Sequence, residues 1–358
     1  MALPFFNSSS SRKRDSIISV DLGARTTKAI HLQKKADTYV LTSYAVLDAP
    51  IYEKALSAEM LSEHLKAVCQ ALDTRTKLTT LVVGVNDSVV RHAEIPPMPI
   101  EDMRQVLKMN SKNYLQQDLP GHIFDCFVPV PKLNGNPAPT KPGSAPTQKQ
   151  RVLVGGAKRQ LMDDLQMAIR GAGLTADSVT PSLIGPVNAF ELTMPEAFAR
   201  ENVVLIDIGF KNTTISILRE GDLALSRTVA IGGDKLTTTI AEAMGISYAE
   251  ADGIKVGMAL EVQPHLEPII TTLGRELRAS IDFFEHQHDL TVSQIFVSGG
   301  TSGSELIRQM LQAELMTACN TWNPAAKLQP ALSPQQAAEL DAVAPQLTVA
   351  IGAAVAAL

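Results

Sequence analysis

Two short stretches carry residue types suited to gripping an anion and its counter-cation. Ser19-Val20-Asp21-Leu22-Gly23-Ala24-Arg25-Thr26-Thr27-Lys28 is echoed by Leu205-Ile206-Asp207-Ile208-Gly209-Phe210-Lys211-Asn212-Thr213-Thr214. Each reads as an apolar strand ending in Asp, a turn at Gly23 or Gly209, and a second strand. Glycine lacks the Cβ that would hold an anion away, so backbone N–H groups can approach phosphate oxygens, while Thr26, Thr27, Asn212, Thr213 and Thr214 add side-chain donors. Asp21 and Asp207 cannot bind phosphate themselves. Their chemistry suits the water shell of Mg²⁺, which dehydrates reluctantly and takes one or two carboxylates beside phosphate oxygens. Lys28 brings a point charge to the same place. One Asp-x-Gly turn is ordinary turn chemistry. A second copy points to a duplicated half-structure with a ligand held between the halves.

Further segments complete the candidate set. The run Gln294 to Val297 leads into Ser298-Gly299-Gly300-Thr301-Ser302-Gly303 and a helix from Glu305. That order lets backbone lie against a planar ring or a phosphate, which selects Gly299, Gly300 and Thr301. Ile231-Gly232-Gly233-Asp234 ends a strand and begins a helix, with Asp234 the expected N-cap; Gly232 and Gly233 imply either a close helix–strand approach or a nearby ligand. Lys255 sits on a helix from which it reaches that ligand or covers a solvated face. His92, His122, His265, His286 and His288 show no metal-ligand spacing beyond the His286-Gln287-His288 pair, and no nucleophile triad or Walker-type phosphate loop is present.

The elements that position these residues follow from hydrophobic periodicity. The first hairpin continues into a strand at Tyr39–Leu47, a helix at Ala58–Leu72 and a buried strand at Thr80–Val85. Residues 87–156 read as an inserted unit: a strand at Ser88–Ile95, a Pro-rich turn, a helix from Ile100 to about Gln117, and strands at Ile123–Val130 and Gln150–Val154. Between those last strands, Pro131–Gln148 is dense in Pro, Gly, Asn and Thr and is expected to be a flexible excursion. A helix at Arg159–Gly173 follows, and Pro181 is expected to open another through Leu192. From Val203 the second half supplies its hairpins, then helices at Asp234–Ala243, Tyr248–Gly257 and Ile269–His286, and a closing helix at Gln346–Leu358. The expected organisation is a tail at 1–14, a first lobe at 15–86 and 157–198, the insert at 87–156, and a second lobe at 199–358 that includes the closing helix.

Composition sets the class. With 358 residues, 45% hydrophobic and 19% charged, the chain has the make-up of a large globular protein of two lobes or domains. A formal net charge of −5 gives no general attraction to nucleic acid or anionic lipid. Cys69, Cys126 and Cys319 are odd in number and far apart, so a reducing cytoplasm fits better than a disulfide framework. The apolar start Ala2–Phe6 is too short for a signal-peptide core. Val349–Leu358, about ten residues, falls short of a membrane span, so a soluble protein is expected.

Two Asp-x-Gly hairpins, an intervening apolar helix and a late Gly-Gly strand end, in this order, resemble the actin, heat-shock chaperone and sugar-kinase superfamily. The hairpins look like its phosphate-1 and phosphate-2 loops and Ser298–Gly303 like its adenosine loop. Within the superfamily the chain most resembles PilM, the actin-like protein of type IV pilus assembly, and next the cell-division protein FtsA. Pro99–Met103 with Tyr114-Leu115 resembles the helix of their 1C insert, while Ile231–Thr237, Arg275–Phe284 and Ala344–Ala350 are similar to PilM segments. The resemblance runs from about Ser16 to Leu358. It implies an α/β, actin-like (ribonuclease H-like duplicated) two-lobe fold with a 1C-type subdomain, ATP and Mg²⁺ as ligands, and Asp21 and Asp207 holding the metal through water. It also implies a scaffold of a type IV pilus or type II secretion-like machine, cytoplasmic and peripheral to the inner membrane. The implied partner is the N-terminal tail of a PilN-like membrane protein in the groove between subdomains 1A and 1C, with other pilus or secretion components and self-association left open.

Departures from the family pattern shape the expected chemistry. Arg25 stands where phosphate-1 loops carry a small residue, and Phe210-Lys211 fill the matching part of phosphate 2. Thr180-Pro181 replaces a Glu-Pro whose acid orients the attacking water; threonine is no general base near neutral pH, so slow or absent hydrolysis is expected. Two rivals remain on the same fold. A small-metabolite kinase needs a carboxylate base in the cleft, and none is clear. An FtsA-like filament former carries a basic amphipathic C-terminal helix, whereas Val349–Leu358 has no charge.

Overall fold

The computed structural model describes residues 14–50, 57–129, 149–257 and 259–358. The expected excursion Pro131–Gln148 and all but the last residue of the expected tail lie outside them. In chain order the elements are β1 (Ser16–Leu22), β2 (Thr26–Lys35), β3 (Thr38–Asp48), α1 (Ala58–Leu72), β4 (Leu78–Val83), β5 (Ser88–Ile95), α2 (Ile100–Leu115), β6 (His122–Phe127), β7 (Gln150–Lys158), α3 (Arg159–Gly171), β8 (Thr175–Pro181), α4 (Ile184–Thr193) and α5 (Pro195–Arg200). There follow β9 (Asn202–Ile208), β10 (Thr213–Arg219), β11 (Asp222–Val229), α6 (Gly233–Met244), α7 (Tyr248–Gly257), α8 (Ala259–His288), β12 (Gln294–Ser298), α9 (Glu305–Leu315), β13 (Cys319–Thr321), β14 (Gln329–Pro330) and α10 (Pro334–Ala357).

The described residues form three sheets. A six-stranded sheet has the order β14-β3-β2-β1-β4-β8, a five-stranded one β11-β10-β9-β12-β13, and the insert forms a three-stranded sheet β5-β7-β6. In both large sheets an antiparallel hairpin is continued by a parallel strand: β1 pairs antiparallel with β2 and parallel with β4, as β9 does with β10 and β12. The chemical echo in the sequence is therefore a repeat of topology. Each sheet buries one face under its own helices. Ile18 and Val20 of β1 pack with Leu65 of α1 and Ile169 of α3, and Val204 and Ile206 of β9 pack with Ile240, Leu273 and Leu311 of α6, α8 and α9. The opposite faces share one interior, where Ile17, Ile30, Val203 and Leu205 meet Phe190 of α4 and Ile351 of α10.

α10 departs most from the sequence expectation. It begins at Pro334, capped by the Ser333 hydroxyl, and runs through Pro345, which reads in sequence as a break. It packs on α4 and on β1, β2 and β4 of the first sheet, although its position in the chain suggested the second lobe. Glycine makes the approach possible: a Cβ on Gly352 would collide with the Gly185 carbonyl of α4, and one on Gly185 would lie 2.7 Å from Val349 backbone. Among the described residues only α10 is long and apolar enough to cross a membrane, and most of it is buried in this interior.

Smaller differences have local causes. Thr175–Pro181 is a strand with no counterpart in the expectation, and Pro181 closes it instead of opening a helix. β8 is an edge strand, where the missing proline N–H costs no ladder bond. α8 starts at Ala259 and carries Pro264 and Pro268 inside it. Gly232, not Asp234, is the N-cap of α6. Arg14, placed in the tail by composition, is docked instead: its Nε lies 3.0 Å from Oδ1 of the buried Asp177.

Candidate functional site

The carboxyl end of β1 meets that of β9, the arrangement in which α/β folds bind ligands. Side chains alternate along a strand, so Asp21 shares the inner face with Ile17, and Asp207 shares it with Val203 and Leu205. Antiparallel register sets Lys28 opposite Asp21 and Thr214 opposite Asp207. Parallel register sets Ser298 opposite Asp207 as well. Lys28 Nζ lies 3.8 Å from Asp21 Oδ2, and Ser298 Oγ donates to Asp207 Oδ1 at 2.9 Å.

Electrostatics tie the two acids to one cleft. Burial raises the pKa of the Asp21 carboxyl, and the Lys28 charge works against the rise. Asp207 is pushed up to about 6, chiefly by burial; the Ser298 hydrogen bond opposes the rise, the Asp21 charge adds to it, and Lys28 reduces it. A carboxylate whose ionisation is made costlier by burial and by a neighbouring acid, as that of Asp207 is, is relieved by a cation. Among the described residues no three His, Cys, Asp or Glu side chains gather as a metal cage. A cation held here completes its shell with water and ligand oxygens, as Mg²⁺ on a phosphate does. The donor set fits that group.

The glycines divide into those that shape the turns and those that bring backbones together. A Cβ on Gly23 would lie 2.5 Å from the Thr26 carbonyl oxygen and 2.8 Å from Lys28 Nζ, so bulk there would displace the lysine. Gly209 closes the second turn by donating its N–H to the Asn212 carbonyl at 2.9 Å. Gly299 has φ +94° and would place a Cβ 2.5 Å from the Ile208 carbonyl oxygen. Gly233 donates to the Gly209 carbonyl at 2.9 Å, and a Cβ on Gly232 would lie 2.5 Å from the Phe210 carbonyl oxygen. Thr301 donates its N–H to the Ile208 carbonyl at 3.3 Å. Gly209, Gly232, Gly233, Gly299 and Thr301 thus form one knitted wall, and a Cβ at Gly300 would meet nothing within 4 Å. For Gly232 and Gly233 the close-approach explanation is the one the structure displays.

Some expected donors point elsewhere. Thr26 shares the inner side of β2 with Lys28, but Thr27 faces α1, where its hydroxyl and His64 Nε2 share a 2.8 Å hydrogen bond. Thr213 likewise turns outward and donates to the Ile231 carbonyl at 2.7 Å. Strand alternation allows only one hydroxyl of each Thr pair on the inner face, which turns the Thr27 and Thr213 hydroxyls away from it. Lys255 is no solvated face residue: with 11% of its side chain exposed, it donates to Thr237 Oγ1 at 2.7 Å and Asp252 Oδ1 at 2.8 Å.

Sequence alone assigns no role to Ser298 or Asp252 and leaves open where Arg25 points. Ser298 is signalled only by its register with Asp207. Asp252 is recognisable as the acid three residues before Lys255 on a helix. Arg25 would crowd the phosphates unless its side chain pointed outward, and it does: the guanidinium extends to Asp252, Nη2 to Oδ2 2.7 Å. Phe210 lies beneath it, the guanidinium carbon 5.4 Å from the ring centroid.

Comparison with known proteins agrees with this geometry. The family model of type IV pilus assembly protein PilM matches residues 19–357. The cell-division protein FtsA of Bacillus subtilis is 22% identical over 256 residues, 66% of this chain but only 57% of FtsA, so the match spans little more than half of that relative. Among solved structures, the PilM-PilN type IV pilus biogenesis complex superposes with a TM-score of 0.81 at 19% identity, covering 96% of this chain and 99% of the other. The ethanolamine utilization protein EutJ from Carboxydothermus hydrogenoformans gives 0.56 at 14% identity, covering 97% and 91%. MreB5 of Spiroplasma citri bound to ADP gives 0.51 at 10% identity, covering 95% of each chain. These likenesses establish an actin-like ATPase fold. With a family model matched along nearly its whole length and the doubled hairpin architecture to go with it, the chain belongs to the PilM family of type IV pilus assembly proteins.

Proposed function

We propose that this chain is a nucleotide-binding scaffold of a type IV pilus or related secretion machine, taking ATP with Mg²⁺ between its two lobes and the cytoplasmic N-terminal tail of a PilN-like protein in a separate groove. The observation that carries the nucleotide half is the pairing of the buried Asp21 and the half-buried Asp207 at matching strand ends, with Lys28 3.8 Å from Asp21. Mg²⁺ would sit with its water shell against the two carboxylates, and Lys28 with the turn N–H groups would take the phosphates. Bound nucleotide supplies a way to bias the position of one lobe against the other. Thr180 is buried in the β4–β8 ladder and offers no base, so slow or absent hydrolysis belongs to this reading.

The partner half rests on a groove of about 750 Å³ lined by β5, the end of α2, Val85, Asn86 and Leu183 from the first lobe, and β11. β5 is the outer strand of the insert sheet and β11 the outer strand of the second large sheet, so two sheet edges border the groove, with the Ala224 carbonyl of β11 taken by Arg151 at 2.6 Å. An extended peptide can add to such an edge while its side chains enter the space between. Attachment through that tail would hold the protein at the cytoplasmic face of the inner membrane.

The test is a calorimetric titration of the purified protein with ATP in the presence of Mg²⁺ and, separately, with a synthetic PilN-like tail. Saturable binding of both is expected, and the tail should lose affinity when Val90 is replaced by Arg. Failure of the tail to bind with ATP and Mg²⁺ present removes the partner assignment; failure of ATP to bind removes the nucleotide assignment.

A further inference from the structure

We propose that Arg25 is a latch across the mouth of the cleft, and that its ion pair with Asp252 sets how fast a nucleotide enters and leaves. The proposal rests on the nucleotide reading above but concerns residues that reading does not use. Arg25 belongs to the β1–β2 turn of the first lobe, and Asp252 to α7 of the second. Nη2 of Arg25 stands 2.7 Å from Asp252 Oδ2, so one ion pair spans the lobes directly over the turn that precedes Lys28.

Both ends of the latch are anchored. On the second lobe, Asp252 Oδ1 accepts from Lys255 Nζ at 2.8 Å, and Lys255 is fixed in turn by donating to Thr237 Oγ1 at 2.7 Å, whose own proton goes to the Gly233 carbonyl at 2.9 Å. Arg25 and Lys255 hold the Asp252 carboxyl far below the usual carboxylate range, so it remains charged throughout the physiological range. Beneath the guanidinium, Phe210 of the opposing turn supplies a ring face at 5.4 Å, and the ring also carries Lys211 Nζ at 5.2 Å. A planar guanidinium can engage a carboxylate and an aromatic face together, which a lysine ammonium does less well. The Arg25 side chain is 43% exposed and that of Asp252 26%. Such a pair is weak enough to open repeatedly and is sensitive to salt. These are properties of a latch, not of a permanent strut.

The experiment compares wild type with Arg25→Ala and Arg25→Lys in two ways. Release of a fluorescent ATP analogue is followed by stopped flow in the presence of Mg²⁺, at low and high salt. Amide hydrogen exchange is measured on the nucleotide-free proteins over residues 209–212 and 248–255. Arg25→Ala should release nucleotide about three- to tenfold faster and exchange faster in both segments, Arg25→Lys should fall between, and added salt should accelerate wild type but not Arg25→Ala. Wild-type release and exchange in Arg25→Ala would overturn the latch. If wild type takes up no nucleotide, the cleft assignment fails, and the exchange comparison alone still decides whether Arg25 holds the lobes together.

Discussion

The two hairpins share a backbone plan and differ in how they handle their acid. In the first, Asp21 faces a cation at the opposite position of its own hairpin, Lys28. In the second the equivalent position is Thr214, and Asp207 receives a hydroxyl hydrogen bond from the neighbouring strand. The consequence is electrostatic. Asp21 has its counter-charge within ion-pair distance in its own hairpin, whereas Asp207 feels the same lysine from farther off and is pushed up to about 6, chiefly by burial. One position of the repeat therefore makes the halves unequal: Lys28 stands opposite the acid in the first hairpin and Thr214 in the second.

The largest test of this asymmetry is to neutralise each acid. Asp207→Asn should weaken Mg²⁺-dependent ATP binding by about a hundredfold, measured by calorimetry, and yet raise the melting temperature of the nucleotide-free protein, because a carboxylate whose ionised form is disfavoured in the folded chain is removed. Asp21→Asn should weaken binding as well but not stabilise the protein, since it leaves Lys28 without its partner. Matching stability changes in the two variants would break the comparison. Next in size is pH. Protons compete with the cation for Asp207, so apparent Mg²⁺·ATP affinity should fall about tenfold from about pH 8 to about pH 5, with the inflection near the pKa of about 6. Stability runs the other way. A carboxyl whose folded pKa is raised favours folding below its unfolded pKa, and the nucleotide-free protein should lose that contribution as pH rises through about 6.

Glycine replacements give a smaller, directional effect. Gly23→Ala brings a Cβ to 2.5 Å from backbone oxygen and 2.8 Å from Lys28 Nζ, whereas in Gly209→Ala the nearest atom is at 3.0 Å. Overpacking of the first kind costs about 1–3 kcal/mol, and the second should cost less than about 1 kcal/mol, both readable from denaturant midpoints. Only Gly23→Ala should also lower ATP affinity, through the displaced lysine.

What could be read in the sequence were features that follow from local chemistry. The hairpins with Asp21 and Asp207 at their strand ends, the insert bounded by its own strands, and the glycine turn after Val297 all lie within short segments whose residue types permit few alternatives. What could not be read depends on distant partners. Thr27 and Thr213 carry the right hydroxyls, and only strand parity decides that they face α1 and the Ile231 carbonyl. α10 follows the second lobe in the chain but packs on the first, through a glycine contact 167 positions apart that no local pattern announces. Whether Arg25 crowds the phosphates or points outward could not be decided in the sequence, because its partner lies 227 positions away.

The most direct measurement is a titration of the protein with ATP near neutral pH, in Mg²⁺ and in chelator. One nucleotide per chain is expected in Mg²⁺, with affinity at least about tenfold weaker in chelator for wild type and little changed by chelator in Asp207→Asn. Binding of equal strength with and without the metal, or no binding at all, would contradict a site built on two carboxylates facing one cation.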